Sequence, residues 1–353
     1  MTAPLLLGDN RVPVYYAGGA GIDDFRGTSG AGRPSGSSSQ SVERGPEDWV
    51  GSMTALPAAI LPPGHPADTG VSRTPLGSLA DLVADDPVGW LGERLAATFG
   101  GHSGLLVKLL DAGERLPVHC HPSRAFAREH LECVFGKTEG WIVLATTGDA
   151  KVWLGMRHRV DRADLRRWIA DQDTAAMLAA MNELTVRPGQ VLYVPAGLPH
   201  AIGPGVTIVE LQEPTSFSIL ADHTAFRVDA DAATLGLGWD LALSCFDLES
   251  YAYRLDDLLP TPRPLPGVPG VANLFGPAAD TYFRAWLVEC AGTVTLPDAG
   301  FAVVVVTAGR GELRWAGGSL PIDRGKTLVA PSAAGALEFR GEVAAIVCRP
   351  AEV

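Results

Sequence analysis

The chain has 353 residues, of which 46% are hydrophobic and 19% are charged, so it can bury a sizeable core. Its formal net charge of −12 argues against nucleic acid or an anionic membrane as the main partner. No apolar run approaches the roughly 18 residues of a membrane helix, and the N-terminus lacks the basic region of a secretory signal. Five cysteines without a CxxC pair favour a reducing compartment, which predicts a cytoplasmic protein.

The first hundred residues mix short elements with a polar segment. Residues 11–26 predict one or two short strands joined by a Gly-Gly turn. Residues 28–44 consist mostly of Gly, Ser, Arg and Pro, and we predict a mobile loop there. The apolar spacing from Ser78 to about Phe99 predicts two short helices that are broken near Pro87.

From Leu105 onward, short β-rich runs alternate with Gly- and Asp-containing turns, a pattern typical of a barrel or sandwich. A short helix with Ser123 as its N-cap interrupts these strands. A second helical stretch is predicted as an insertion at about residues 158–186. A Pro-rich linker follows Pro260, and the remaining residues again read as strands and turns.

The segment GQVLYVPAGLPH, residues 189–200, matches the second cupin motif, G-x5-P-x-G-x2-H. Gly189 turns the chain into a strand, and a Pro and a Gly bend it at the far end, so that His200 points into the barrel. The departure from the motif is Pro204, which stands where a final Asn is usual.

The sequence His119-Cys120-His121 supplies the His-x-His of the first cupin motif. Residues i and i+2 of a strand share a face, so the two imidazoles point the same way. Together with His200 from another strand they form a three-nitrogen metal site. The alternative is a pair of surface histidines on an edge strand, which leaves His200 and its motif unexplained.

A carboxylate ligand and two lysines complete the predicted centre. Glu139, in GKTEGW, is the best placed carboxylate, and a strand that turns Glu139 inward also turns Lys137 inward. Only four of the 28 basic residues are lysines, and Lys108 and Lys137 flank the metal motifs. Lysine can lose a proton whereas arginine cannot, which favours a chemical role for both. For Lys108, a solvent-facing position in mid-strand is the alternative.

The run VTIVELQE places Glu210 and Gln212 on one strand face shortly after His200. We predict that this face points inward, with Glu210 as a base candidate beside Lys137. The alternative is an outward polar face.

Five segments resemble type I mannose-6-phosphate isomerases in order and spacing, over about residues 10–260. They are PEDWVGS, LLVKLLDAGERLPVHCHP, FGKTEGWIVL, VRPGQVLYVPAGLPHAIG and VELQEP. The resemblance implies a two-cupin zinc enzyme that interconverts an aldose phosphate and a ketose phosphate. The implied metal ligands are His119, His121, Glu139 and His200. One Zn²⁺ per chain is expected, with Fe²⁺ or Mn²⁺ as alternatives.

Three positions depart from the family pattern. His119 replaces the family's Gln and keeps a metal ligand there. Pro117 stands where the family has a Ser, and Ile219 and Leu220 stand where it has an Arg. In the family these groups help to hold the phosphate or the transition state, so the metal and the isomerase chemistry are better supported than the 6-phosphate. The implied catalytic residues are Lys137, Lys108 and Glu210, and the implied substrate-binding residues are Arg124, Gln212 and Trp49.

We therefore predict a mainly β protein of two cupin, or jelly-roll, barrels. Residues 1–260 form the metal-binding domain with the helical insertion, and residues 261–353 form a degenerate cupin domain without histidine. The predicted function is aldose–ketose isomerisation of a hexose or hexose phosphate, most simply of mannose 6-phosphate and fructose 6-phosphate. The alternatives are a cupin dioxygenase with Fe²⁺ at the same ligands, and a non-catalytic or regulatory sugar-binding cupin.

Overall fold

The computed structural model describes residues 3–28, 45–58 and 60–352, and most of its regular structure is β-strand. The mainly β fold class is confirmed. The predicted mobile loop at 28–44 lies, apart from its first residue, outside the described residues. None of the described helices has the length and apolar character needed to cross a bilayer.

Two antiparallel sheets form the framework of the chain before residue 260. The six-stranded sheet has, in spatial order, the strands Val191–Val194, Glu139–Thr146, Val206–Gln212, Leu106–Ala112, Glu47–Val50 and Arg11–Val12. The five-stranded sheet has the strands Met181–Thr185, Lys151–Met156, His200–Ile202, His119–Cys120 and Ile219–Leu220. A small two-stranded sheet pairs Arg73–Thr74 with Gly77–Ser78.

The two larger sheets enclose a common core. Leu110 and Ile208 of the six-stranded sheet pack in one apolar cluster with Leu154 and Ile202 of the five-stranded sheet. In an antiparallel pair, residues that lie opposite each other point to the same face. The polar residues that share this inward face therefore line the space between the sheets.

The other face of the six-stranded sheet packs against the C-terminal part of the chain. Val107 and Val209 share an apolar cluster with Phe283, Val303 and Ile346. The C-terminal sheet has, in order, the strands Leu5–Leu7, Thr327–Ala330, Ala302–Trp315, Glu338–Pro350, Phe283–Thr295, Val271–Asn273 and Arg263–Pro264, with Gly318–Asp323 paired to Ala302–Trp315. Its first strand comes from the beginning of the chain, and its far face buries a second apolar core.

Short helices connect and cover the sheets. The α-helices are Gly21–Arg26, Leu79–Asp85, Pro87–Leu91, Glu93–Thr98, Arg124–His130, Arg162–Asp171, Thr174–Ala179, Ala230–Ala233, Gly238–Ala242, Leu255–Leu258 and Pro277–Asp280. The 3-10 helices are Thr224–Phe226, Leu243–Cys245 and Ser332–Ala334. The Ser123 hydroxyl accepts the Phe126 N–H, so the predicted N-cap is present.

Three local predictions were wrong. The helical insertion predicted at about residues 158–186 ends before Met181, because Met181–Thr185 is a strand that pairs with Lys151–Met156. The stretch from Ser78 to Phe99 contains three helices rather than two, because Gly92, at φ +83°, adds a second break after the one before Pro87. Residues 21–26 form a helix rather than a strand, since Ile22 and Phe25 are spaced to bury one helical face.

Candidate metal centre and active site

Three histidines converge where the strands His119–Cys120 and His200–Ile202 pair. His200 lies directly opposite His119. His121 is the first residue after the strand His119–Cys120. The ring centroids of His119 and His200 are 4.0 Å apart. The ring centroid of His121 lies 4.9 Å from that of His119 and 4.8 Å from that of His200. One ligand atom from each ring lies within 4.8 Å of the others, and all three side chains are buried.

Each imidazole is held from behind by a backbone carbonyl. The oxygens of Pro117, Phe217 and Leu198 lie 2.8, 2.7 and 2.8 Å from the Nδ1 atoms of His119, His121 and His200, respectively. A carbonyl can only accept, so it places the proton on Nδ1 and leaves the Nε2 lone pair available as a metal ligand. Burial lowers the pKa of all three imidazoles and so favours the neutral, ligating form.

Glu139 brings a carboxylate to the same point. Its Oε1 lies 3.0 Å from His121 Nε2 and 3.0 Å from Lys137 Nζ, and its Oε2 lies 3.7 Å from His200 Nε2. Trp141 donates its indole N–H to Oε2 at 3.1 Å. Burial by itself raises the Glu139 pKa, but Lys137 and the imidazoles outweigh it, so the pKa lies well below its ordinary value.

The donor set fits a divalent metal. His200 Nε2 is buried and has no hydrogen-bond partner among the described residues, although it faces the other donors. A buried polar atom without a partner is rare in native proteins and indicates a missing ligand. Three imidazole nitrogens and one carboxylate suit Zn²⁺, Fe²⁺ or Mn²⁺. The arrangement therefore supports metal binding without selecting the metal.

A second buried group of charges lies on the neighbouring strands. Lys108 Nζ lies 3.2 Å from Glu47 Oε2 and 3.3 Å from Glu210 Oε1, and 5.2 Å from the centre of the Trp49 ring. Burial lowers the pKa of Lys108, but Glu47 and Glu210 outweigh it and raise the pKa above its ordinary value. Lys108 is therefore a fixed positive charge.

Glu210 differs from the other buried carboxylates of the site. Burial and repulsion by Glu139 raise the pKa of Glu210 to about 7, against the opposing attraction of Lys108. A carboxyl group that titrates near neutral pH is suited to take up and release protons during turnover.

Sequence reasoning did not find Glu47 or Tyr16. Glu47 is buried and accepts hydrogen bonds from the Tyr16 hydroxyl at 2.6 Å and from the Trp49 indole at 2.7 Å. Glu47 stands two residues before Trp49 on the same strand, so strand alternation was a usable signal. Its ion-pair partner Lys108 is distant in sequence, and no motif connects the two.

The structure commits the hydrogen-bond donors of two predicted substrate-binding residues, Trp49 and Gln212, to the protein. The indole N–H of Trp49 is donated to Glu47, and the ring is buried. The Gln212 amide donates to the carbonyls of Glu213 at 2.9 Å and Thr215 at 2.6 Å, whereas its Oε1 has no partner among the described residues. Gln212 lies opposite Glu139 in the sheet, which places it beside the predicted metal ligands.

Arg124, the third such residue, is bound on two sides. Its Nε donates to Glu213 Oε1 at 2.5 Å, and its Nη2 donates to the Thr281 carbonyl at 2.9 Å. Ile219 and Leu220, the two candidate positions of the family arginine, lie opposite Cys120 and His119 on the next strand. Both positions offer an apolar side chain rather than a charge.

A cavity of about 810 Å³ lies elsewhere, between the six-stranded sheet and the C-terminal sheet. Its wall includes Asp111, Thr207, Leu274 and Ile346, and it contains no predicted metal ligand or catalytic residue. Asp111 is fully engaged there by the Gly21 N–H and the Thr207 hydroxyl. The cavity is therefore separate from the metal centre.

The chain is similar in sequence to proteins named mannose-6-phosphate isomerase. No protein-family model matches the chain. It is 28% identical over 245 residues to the mannose-6-phosphate isomerase of Streptococcus mutans, covering 68% of this chain and 72% of that protein. It is 29% identical over 170 residues to the mannose-6-phosphate isomerase ManA of Bacillus subtilis, covering 46% of this chain and 52% of that protein.

Solved structures match over the length of the chain. The mannose 6-phosphate isomerase of Bacillus subtilis superposes with a TM-score of 0.71 at 20% identity, covering 98% of this chain and 99% of that one. The apo form of the enzyme from Salmonella typhimurium superposes with a TM-score of 0.72 at 16% identity, covering 100% of both chains. At these identities the match shows a common fold.

Proposed function

Because the chain is related in sequence and fold to type I mannose-6-phosphate isomerases, as its motifs predicted, we propose that it is a metal-dependent aldose–ketose isomerase. The substrates proposed are mannose 6-phosphate and fructose 6-phosphate, or a related hexose. The observation that carries the proposal is the convergence of three buried imidazoles and Glu139 beside two buried lysines.

We propose that the metal is Zn²⁺, one per chain, held by His119, His121, Glu139 and His200. Bound there, it supplies a Lewis acid that polarises the sugar carbonyl or holds the neighbouring hydroxyl. The backbone carbonyls behind the three imidazoles orient them for this task. Residues 1–260 are the proposed catalytic domain and residues 261–353 the proposed supporting domain.

Isomerisation removes a proton from the carbon next to the carbonyl and returns it to the carbon that carried the carbonyl oxygen. Glu210 is the proposed carrier of this proton, because its pKa of about 7 allows both steps at neutral pH. Lys108, held positive by Glu47 and Glu210, stabilises negative charge as it develops on the sugar.

Lys137 is proposed to act on the part of the substrate that lies next to the metal ligands. Its Nζ lies 3.0 Å from Glu139 Oε1 and 3.3 Å from His121 Nε2, and the side chain is buried. From there its ammonium group stabilises the enediolate or passes a proton to a sugar oxygen. Gln212 is the proposed acceptor for a sugar hydroxyl, because its Oε1 has no hydrogen-bond partner among the described residues. Trp49 and Arg124 are proposed to support the site through their hydrogen bonds to Glu47 and Glu213.

One observation favours a second candidate, a sugar-binding cupin without turnover. Ile219 and Leu220 stand where the family has an arginine that helps to hold the phosphate or the transition state, and they lie opposite Cys120 and His119. Such a protein would keep the metal site and bind sugar, but would not interconvert aldose and ketose.

A coupled isomerase assay on mannose 6-phosphate and on free mannose tests the proposal. The metal-loaded parent is expected to turn over at least one of them, and His200→Ala is expected to be inactive. His102→Ala is the matched control, because the His102 ring contacts Phe135 and the Gly104 N–H rather than the metal ligands. A metal-loaded parent without turnover of either sugar refutes isomerase function and favours the binding protein.

A further inference from the structure

We infer that Arg124 and Glu213 are positioning residues, which hold the turn that carries Lys137 and connect it to the C-terminal part of the chain. The inference rests on the proposed function, in which Lys137 acts on the substrate. Lys137 is the middle residue of the connecting segment at 136–138, called the turn below. The turn lies between the helix Arg124–His130 and the strand Glu139–Thr146.

One buried carboxylate holds this turn. Glu213 accepts the N–H of Gly136 on Oε1 at 3.3 Å and the N–H of Thr138 on Oε2 at 3.0 Å. The Lys137 N–H donates to the Pro122 carbonyl at 3.0 Å. All three backbone N–H groups of the turn are therefore bound, and two of them depend on Glu213.

Glu213 needs a compensating charge, since its side chain is 0% exposed and a buried carboxylate is costly unless it is paired. Arg124 provides that charge through the 2.5 Å contact between its Nε and Glu213 Oε1. Arg124 is 25% exposed, but removing it leaves the fully buried Glu213 carboxylate without its compensating charge, which is more disruptive than loss of an exposed ion pair. Loss of Arg124 is therefore expected to disturb the carboxylate on which the turn depends.

The same guanidinium reaches the C-terminal part of the chain. Its Nη2 donates to the Thr281 carbonyl at 2.9 Å, and its central carbon lies 4.7 Å from the centre of the Tyr282 ring, within cation–π distance. Direct contacts therefore run from Tyr282 through Arg124 and Glu213 to the turn of Lys137. This gives the C-terminal segment, which lacks histidine, a part in positioning a catalytic lysine.

The test compares Arg124→Ala with Arg26→Ala in the metal-loaded chain of 353 residues. Arg26 is a matched control, because its Nε pairs with the buried Asp48 at 2.6 Å. Arg26 also reaches the C-terminal part, with contacts of 3.5 Å to the Gly325 carbonyl and 3.3 Å to the Thr327 hydroxyl. Among the described residues, Arg26 forms its hydrogen bonds with Asp48, Gly325 and Thr327 rather than with the turn at 136–138.

We expect Arg124→Ala to lower kcat about tenfold or more relative to Arg26→Ala, because small displacements of a reacting group are costly. KM should stay within about threefold and metal content should be equal, since substrate and metal binding are not removed. Added guanidinium ion should restore part of the lost kcat. Amide hydrogen exchange in the peptide covering residues 136–138 should accelerate in Arg124→Ala and not in Arg26→Ala.

Glu213→Gln is the second variant if Arg124→Ala folds poorly, because it keeps the shape of the side chain and removes the charge. It should show the same loss of kcat and the same faster exchange. Equal kcat in the two arginine variants, or equal exchange at 136–138, overturns the inference. If the parent shows no isomerase activity while exchange responds as expected, the proposed function fails and the positioning of the turn stands.

Discussion

Lys108 and Glu210 lie directly opposite each other on neighbouring strands, with Lys108 Nζ 3.3 Å from Glu210 Oε1. Glu47 contacts the same ammonium group from the other side. The pKa of Lys108 is raised above its ordinary value, and that of Glu210 is raised to about 7. The pair therefore combines a fixed cation with a carboxyl group that exchanges protons near neutral pH.

The first prediction concerns the pH dependence of kcat/KM. A raised pKa means that Glu210 becomes protonated at a higher pH than an ordinary glutamate, and the protonated form cannot act as a base. We expect kcat/KM to fall on the acid side at a pH well above the roughly 4.3 of a free glutamate. Glu210→Gln should lose at least about 100-fold in kcat. An acid limb in the ordinary carboxyl range contradicts the assignment of Glu210.

The second prediction concerns the two lysines. Lys137→Arg keeps the charge but should remove most activity, because arginine does not exchange a proton at neutral pH. Lys108→Arg should be milder, since Lys108 is held positive and supplies charge only. Steady-state kinetics of the two variants measure the contrast, and each serves as the other's control. A fully active Lys137→Arg would show that Lys137 is not a proton donor.

The third prediction concerns the metal ligands. His200→Ala removes the donor that has no protein partner and should weaken metal binding by about 100-fold or more, since changes to groups that merely support a ligand already cost 10–100-fold. Metal content after dialysis against a chelator, measured by elemental analysis, checks this. Equal metal in His200→Ala, His102→Ala and the parent would mean that the metal lies elsewhere.

The fourth prediction concerns the phosphate. Pro117 stands at the family Ser position and Ile219 or Leu220 at the Arg position, and each charged hydrogen bond to a phosphate is worth about 1.5–3 kcal/mol. We therefore expect weak kcat/KM on mannose 6-phosphate and little discrimination between phosphorylated and free sugars. The ratio of the two kcat/KM values is the measurement. A preference for the 6-phosphate by several orders of magnitude would show that another cation has taken this role.

The sequence predicted the parts of the site that depend on local geometry. His119 and His121 follow from the two-residue period of a strand, and His200 follows from the turn residues that precede it. The inward direction of Glu210 and Lys108 was likewise a consequence of strand alternation, which the sheet register reproduces.

The rest depends on pairings between residues far apart in the chain, which no local pattern encodes. Glu47 meets Lys108 because their strands pair in one register. Arg124, at the start of a helix, meets Glu213, which follows the strand Val206–Gln212. Arg124 was predicted to bind substrate from its place just after the metal histidines, and its engagement by Thr281 required knowledge of how the C-terminal sheet packs. Sequence reasoning likewise missed the carbonyls behind the imidazoles, because backbone groups carry no sequence signature.

The central claim is that the metal held by His119, His121, Glu139 and His200 supports aldose–ketose isomerisation. Zn²⁺ titrated into chelator-treated protein, with the coupled assay run at each step, tests it most directly. We expect turnover of mannose 6-phosphate or mannose to appear in proportion to bound metal and to saturate at about one ion per chain. Full metal occupancy without turnover of either sugar, or turnover that is independent of bound metal, would contradict it.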